Sequence, residues 1–288
     1  MEGSFIGLFG GLLNSAAPLM LAGLGALISD LSGALGIFME GFMITGAFFS
    51  WIFTIKTGSV IWGCLISALL AAFAGWALAR FVRVTGANPF IAGLALNLAA
   101  SGITVSLSAA WFGTKGVLQN PGIVLSEAIQ YPFTLIAWAL ALLAVIGLEW
   151  TIPGFRLKAS GLSPETANER GIRPERYREV AWAMAAFLAA LAGAALTFRV
   201  GVYAPGGIAG RGWIALAAVY LGFRRPLGVV AAAIVFTFAE RLGFGIQSFG
   251  SLPATALLGL PSALALLLYS LSLVFRKNRS WTRTGFRR

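Results

Sequence analysis

Apolar runs of about 20 residues recur along this 288-residue chain, separated by short polar links. A helix rises roughly 1.5 Å per residue, so one such run crosses the roughly 30 Å hydrocarbon core of a bilayer. Nine apolar segments can be read, at roughly 5–28, 37–55, 60–79, 90–112, 132–152, 180–203, 213–223, 226–242 and 253–275. The seventh is too short to cross as a regular helix. It follows a Gly-rich stretch, APGGIAGRG, from which it can start inside the membrane. Composition agrees: 11% of residues are charged and the mean hydropathy is +0.85, whereas a soluble domain carries about 25% charge. The expectation is an all-α polytopic membrane protein with about nine membrane segments, forming one domain over residues 1–288.

The net charge of +11 does not point to nucleic acid, because the basic residues are sorted by side. With the C-terminus cytoplasmic, 16 of the 21 fall in inside loops: Arg80, Arg83, the stretch from Arg156 to Arg178, Arg224, Arg225 and the tail RKNRSWTRTGFRR. Lys56, Lys115, Arg199, Arg211 and Arg241 fall on the other side. This bias orients the chain with the N-terminus outside and the C-terminus inside. There is no His, and the one Cys, Cys64, lies in an apolar run. An intrachain disulfide, His-based catalysis and ordinary zinc sites are therefore excluded, and no metal ligand set is expected. The N-terminal stretch carries an acid and no basic region, so it reads as the first span rather than a cleaved signal.

Two stretches look like one plan used twice. LAGLGALISDLSGALGIFMEGFMITGAFFS and LAALAGAALTFRVGVYAPGGIAGRGWIALAAVYLG each run from a small-residue helix into a Gly-containing break. Each then reaches a charged residue followed by Gly, Glu40-Gly41 and Arg211-Gly212, and resumes as a helix. Pro89 and Pro253 open the last span of each half. This gives two inverted repeats with interrupted helices: repeat 1 at about 5–112, a linking span at 132–152 and repeat 2 at about 180–275. A breaking backbone at membrane depth survives only where protein or a water-filled cavity satisfies it. Residues 29–41 and 204–212 are thus the first place to look for a pathway, with Phe38, Glu40, Asn97 and Arg211 as candidates. Glu40 and Arg211 are expected to approach each other near the centre and brace the two breaks; otherwise each snorkels to an interface. Asn97 sits about 10 Å into its span, where its amide either lines a polar path or ties two helices.

The long polar passage before the tail, RLKASGLSPETANERGIRPERYRE, begins at Arg156 and lies within a cytoplasmic loop at 153–179. Within it, LSPETANERGI reads as a helix of about two turns. Ser163 is the N-cap, Pro164 the first helical residue, Glu165 the acid near the positive end, and Gly171 the stop. A helix this short is marginal alone, so flanking spans or a partner must hold it.

Four ordered blocks carry a resemblance: SDLSGALGIFMEGFMITGAF, NPFIAGLALNLAASGIT, ASGLSPETANERGI, and YAPGGIAGRGWIALAAVYLG followed by RPLG. Together they resemble the permease subunits of bacterial ABC importers of the ribose-type superfamily, closest to the branch served by basic-membrane-protein lipoproteins. The resemblance implies that the polar helix is the coupling helix, with Ser163, Pro164, Glu165, Ala167, Gly171 and Ile172 meeting a cytoplasmic ATPase. It implies a nucleoside as the most expected solute. The first break departs from the family form Asn-Ile-Gly-x-Glu-Gly, reading Gly36, Ile37, Phe38, Met39, Glu40, Gly41. Loss of the amide and gain of a flat apolar ring leave room for a larger aromatic ligand such as riboflavin, and a simple sugar is a further alternative.

The chain lacks a G-x-x-x-x-G-K-[ST] loop, so ATP and Mg belong to partner subunits and this chain carries no cofactor. The implied partners are a second homologous permease in a heterodimer, two ABC ATPase subunits or one fused double ATPase, an extracytoplasmic binding lipoprotein or periplasmic protein, and membrane lipid. The implied location is the bacterial inner membrane, with the basic tail 276–288 in the cytoplasm. Two other classes compete. An intramembrane enzyme would need reactive groups that are not grouped in the sequence, and an ion-driven secondary transporter would use Asp30 and Glu40 as proton carriers.

Overall fold

The computed structural model describes residues 2–119, 127–208 and 210–249, and nearly all of these are helical. In chain order the helices are α1 (Glu2–Leu31), α2 (Met39–Thr57), α3 (Val60–Thr85), α4 (Pro89–Phe112), α5 (Glu127–Trp150), α6 (Ile152–Leu162), α7 (Pro164–Glu169), α8 (Pro174–Val200), α9 (Arg211–Leu221) and α10 (Pro226–Phe249). Proline opens α4, α7, α8 and α10, where its missing amide proton would have no helical partner anyway. Among the described residues the one β-type pairing joins Leu118 to Tyr203, just beyond α4 and α8.

The bundle is built around α8. Its best membrane window is 72% buried, as is that of α1, whereas α3 and α4 are 33% and 22% buried and so form the outer wall. The outer wall presents Ile61, Trp62, Phe73, Ile91 and Leu98 to the surroundings, which suits lipid rather than water. The helix α2 lies directly on α8 because glycines let the backbones touch. A side chain at Gly46 would enter the Ala190 backbone, and one at Gly193 would enter the Met43 backbone. Small residues at such crossings replace hydrophobic driving force with close packing, as membrane bundles require. Aromatic rings fill the remaining space, with Trp51 and Trp182 fully buried.

Among the described residues the architecture is all helical, and four helices meet the length and apolarity of a span, at Gly10–Leu31, Val60–Thr85, Pro89–Phe112 and Pro174–Val200, fewer than the nine segments expected. A fifth span is reached if Thr134–Trp150 and Ile152–Leu162 count as one, bent by 68°. The expected second, seventh and eighth segments coincide with α2, α9 and α10, which do not meet that standard among the described residues. The ninth, at 253–275, lies outside the described residues, as do Pro253 and the tail. The expected loop at 153–179 is also largely helical. Thr151 accepts a hydrogen bond from the Gly154 amide at 3.3 Å, which restarts the chain as α6 immediately after α5.

Ion pairs show which helix ends share a side. Arg83 at the end of α3 meets Glu175 and Glu179 at the start of α8, at 3.4 and 3.0 Å. Asp30 at the end of α1 meets Arg224 in the α9–α10 turn at 2.6 Å. Towards the other end, Arg199 and Arg241 both reach the N-terminal half of α1 at Ser15. The basic residues grouped as inside by the sequence therefore cluster at one end of the bundle where the structure describes them, and Arg199 and Arg241 at the opposite end.

That opposite end is built on a proline. Pro18 lies inside α1 and, having no amide proton, leaves the Asn14 carbonyl without its helical donor; side chains from other helices reach the carbonyls around it. Trp138 donates to the Leu13 carbonyl at 3.4 Å, Arg199 to that of Ser15 at 3.3 Å, and Arg241 to that of Gly11 at 2.6 Å. Side chains from α5, α8 and α10 thus complete the polar groups of α1.

Replacing Gly193 or Gly46 by Leu forces α2 off α8. Each change is expected to lower the unfolding midpoint of the detergent-purified protein by the equivalent of about 1–3 kcal/mol, read by thermal melting. Leu98→Ala, on the outer wall of α4, is expected to leave the midpoint within about 0.5 kcal/mol of the parent.

Candidate functional site

The two interruptions in the helices meet inside the bundle. The first runs from Ser32 to Phe38, between α1 and α2, and its polar groups are nearly all spoken for. Ser32 and Gly33 donate their amides to Ser29 and Asp30 carbonyls, both at 3.1 Å, and Met39 donates to Gly36 at 3.2 Å. The Ser29 hydroxyl donates to the Ala34 carbonyl at 2.9 Å. Asn97 from α4 closes the far end: its Nδ2 donates to the Ile37 carbonyl and its Oδ1 accepts from the Gly41 amide, both at 2.7 Å. Asn97 lies two turns into α4, about 12 Å from the helix start by helical rise, so the break ends at membrane depth.

Asn97 ties α4 to the first break. Its amide is consumed by the backbone of the break and the residue is 6% exposed. Phe38 is fully buried, packed on Phe42 and on Trp182 with ring centroids 5.4 and 4.7 Å apart. It props the break against α8 rather than facing an open space within this chain.

The second interruption runs from Gly201 to Gly210, between α8 and α9. It descends from the end of the bundle where Arg199 lies, and α9 starts beside the first break. Glu40 joins the two. Its Oε1 accepts from the Gly210 amide at 2.7 Å and its Oε2 from the Gly212 amide at 2.6 Å. Both oxygens therefore sit on the amino end of α9, where free amides and the helix dipole favour a negative charge. Gly212 has to be glycine, since a side-chain carbon would fall 2.6 Å from the Glu40 Cα and 2.7 Å from its Oε2.

Glu40 and Arg211 do come close, but the brace is not a side-chain pair. Glu40 holds the backbone on either side of Arg211, while the Arg211 guanidinium turns away. Its Nε lies 3.6 Å from Glu240 Oε1 on α10, and its Nη1 donates to the Gly207 carbonyl at 3.4 Å. Arg211 and Glu240 are each about a quarter exposed. Beside them is a void of about 10 Å³, lined in part by Ser15, Arg199, Arg211 and Glu240, which has room for about one water. Glu240 is a site residue that the sequence reading passed over. The signal was there: an acid followed by Arg241 inside an apolar run, where charges rarely stand without a partner.

At the opposite end of the first break, Asp30 holds the α9–α10 turn. Arg224 donates through Nε to Asp30 Oδ2 at 2.6 Å and through Nη2 to the Asp30 carbonyl at 3.3 Å. Phe223 and Arg224 both adopt left-handed backbone, φ 56° and 57°, which side chains other than glycine disfavour. The ion pair is one of the contacts that keep them there.

The polar passage carries α7, six residues long and exposed except for Ala167. Ser163 occupies the N-cap position, but its hydroxyl pairs with that of Thr166 at 2.9 Å instead of capping an amide. Pro164 opens the helix and Glu165 lies in its first turn. The chain turns at Gly171, φ +75°, and the Ile172 amide returns to the Ala167 carbonyl at 3.0 Å. Among the described residues no group of three or more His, Cys, Asp or Glu is placed to hold a metal ion.

Removing the Glu40 carboxylate as Glu40→Ala leaves two buried amides bare, at about 1–3 kcal/mol each. A lowered melting midpoint is expected, with Arg211→Ala costing under about 1 kcal/mol. Exchanging the two charges, Glu40→Arg with Arg211→Glu, is expected not to rescue the Glu40 loss, since the acid serves backbone amides.

Comparison with known proteins places the chain. The guanosine ABC transporter permease protein NupQ of Bacillus subtilis is 29% identical over 88% of this chain and 87% of its own length. The nucleoside ABC transporter permease protein NupC of Lactococcus lactis is 26% identical over 91% and 90%. A putative glucose ABC transporter permease protein, TsgC13 of Haloferax volcanii, is 29% identical over 84% and 78%. Among solved structures, PsaBC from Streptococcus pneumoniae in complex with Fab superposes with a TM-score of 0.58 over 93% of this chain and 95% of that one, at 13% identity. That is a likeness of fold. Residues 8–279 match the family model described as branched-chain amino acid transport system / permease component, and the chain belongs to that family of transport permeases.

Proposed function

We propose that this chain is the membrane-spanning permease subunit of an ATP-driven importer for nucleosides. The observation that carries it is the family match across residues 8–279 together with nucleoside permeases aligned over most of both chains. It is a transport subunit and not an enzyme. Nucleosides are favoured over riboflavin. Glucose is kept as a second reading, because the Haloferax relative is named for it.

In this reading the ATP and Mg sit on ABC ATPase subunits or a fused double ATPase in the cytoplasm. A binding lipoprotein or periplasmic protein delivers the solute from outside. Membership of the family supports both partners in general terms. A second homologous permease completes the pathway as a heterodimer in the inner membrane, with the end that carries α7 inside, as the basic bias favours. The chain is one permease domain with a coupling region at 153–179, in which Ser163, Pro164, Glu165, Ala167, Gly171 and Ile172 meet the ATPase. The exposure of α7 supports that assignment.

The two interrupted helices are the two inverted repeats. Their breaks come from opposite ends of the bundle, and α2 and α9 both start near Glu40. The solute path runs past this meeting point. Arg211 is its most exposed member, and Phe38, Glu40 and Asn97 hold its wall from behind. Rocking one break against the other exposes the path alternately to each side.

The test is uptake of labelled guanosine by cells or proteoliposomes carrying the chain with its genomic neighbours. Uptake that needs ATP, survives an uncoupler and is blocked by unlabelled nucleosides is expected. Blockage by glucose but not by nucleosides selects the second reading, and uptake that persists without the ATPase and collapses with an uncoupler overturns both.

A further inference from the structure

An exposed helix of six residues cannot move a bundle by itself, so the route out of α7 matters. One backbone contact joins the helix that precedes α7 to the first break. Gly161, in the last turn of α6, lies with its backbone directly on the backbone of Leu31–Gly33, where α1 ends and the first break begins. A side-chain carbon on Gly161 would run into the Leu31 carbonyl and the Gly33 amide. From the other side, a carbon on Gly33 would fall 3.1 Å from the Gly161 Cα, 3.3 Å from its carbonyl oxygen and 3.5 Å from Arg178 Nη2. Gly33 has φ +90°, so the residue is fixed as glycine twice over.

Backbone touching backbone leaves no side chain between the two elements to swing aside. Packed interiors transmit displacement instead of absorbing it. The lever that ends in Gly161 is also well defined: α6 is an 11-residue helix set at 68° to the end of α5. Its near end is held because Gly154 lies on the Gly147 and Leu148 backbone. Its far end leads through Ser163 into α7. Beyond the contact, the first break is tied to α4 through Asn97, to the α9–α10 turn through Asp30, and to the second break through Glu40.

We propose that Gly161 is a positioning residue of the transport cycle: its backbone contact with Leu31–Gly33 is where motion of α7 and the polar passage around it enters the membrane part. The first break is then the element pushed, and the second follows through the Glu40 strut. This rests on the reading of α7 as the ATPase contact, but it makes a separate claim about what lies behind that contact.

The experiment uses the complete complex reconstituted in proteoliposomes. It reads ATPase co-purification, ATP hydrolysis, guanosine uptake and the uptake per ATP hydrolysed. Gly161→Ala is expected to keep ATPase binding and hydrolysis, and to lower uptake per ATP about tenfold, within the usual range of coupling between sites. Gly33→Ala, on the facing side, is expected to do the same. An unchanged uptake per ATP in both variants overturns the proposal. Should either variant melt early, hydrogen exchange of the unaltered complex decides. Amides of residues 31–41 are expected to change protection when an ATP analogue binds the partner, and no change there overturns the proposal. Failure of the underlying reading shows differently: Glu165→Lys on the exposed face of α7 would leave ATPase co-purification intact.

Discussion

A carboxylate among apolar helices is held only if donors are brought to it, and here the donors are backbone. Glu40 takes the amides of Gly210 and Gly212, so the amino end of α9 is completed by a residue from the other half of the chain. The rest of the centre follows from that contact. Position 212 must lack a side chain, α2 and α9 must begin at the same depth, and the Arg211 guanidinium, displaced from the acid, finds Glu240. The two breaks meet through this contact, in which Glu40 supplies the acceptors and the amino end of α9 the donors.

The same economy governs the first break. It is fastened to its neighbours by a few specific links, through Asn97, Asp30, Gly161 and Glu40, and is propped from behind by Phe38 on Trp182. Such links couple a displacement of the segment to its neighbours. That behaviour suits a machine in which a remote ATPase has to change the shape of a path, and it is poorly suited to a site that works by local flexing.

Much of this was legible before any coordinates. Hydropathy and length gave helices, and the Gly-rich breaks pointed to residues 29–41 and 204–212, where the structure interrupts the helices. Proline starts and the Gly171 stop marked α7. What could not be read was partnership. The sequence placed Glu40 and Arg211 together through their matching positions in the repeat, and two opposite charges invite a salt link. Nothing in a residue string says that backbone amides will outbid a guanidinium. The contacts of Phe38 and Asn97 were hidden for a similar reason: polar or aromatic identity is visible in the sequence, whereas the neighbour a side chain meets is set by packing. The bend between α5 and α6 is hidden in the sequence because Thr151 caps a new helix where apolar character gives way to charge, a change that by itself signals only the end of a span.

The polar contacts of α1 have a consequence for how the protein is made. The turn of α1 before Pro18 leaves the ribosome long before Trp138, Arg199 and Arg241, whose side chains later donate to its carbonyls. Until those arrive the first helix lacks the polar links that fasten it to α5, α8 and α10. Its final seat is therefore fixed late in synthesis, when α10 emerges, so the earliest helix to be translated is among the last to be finished.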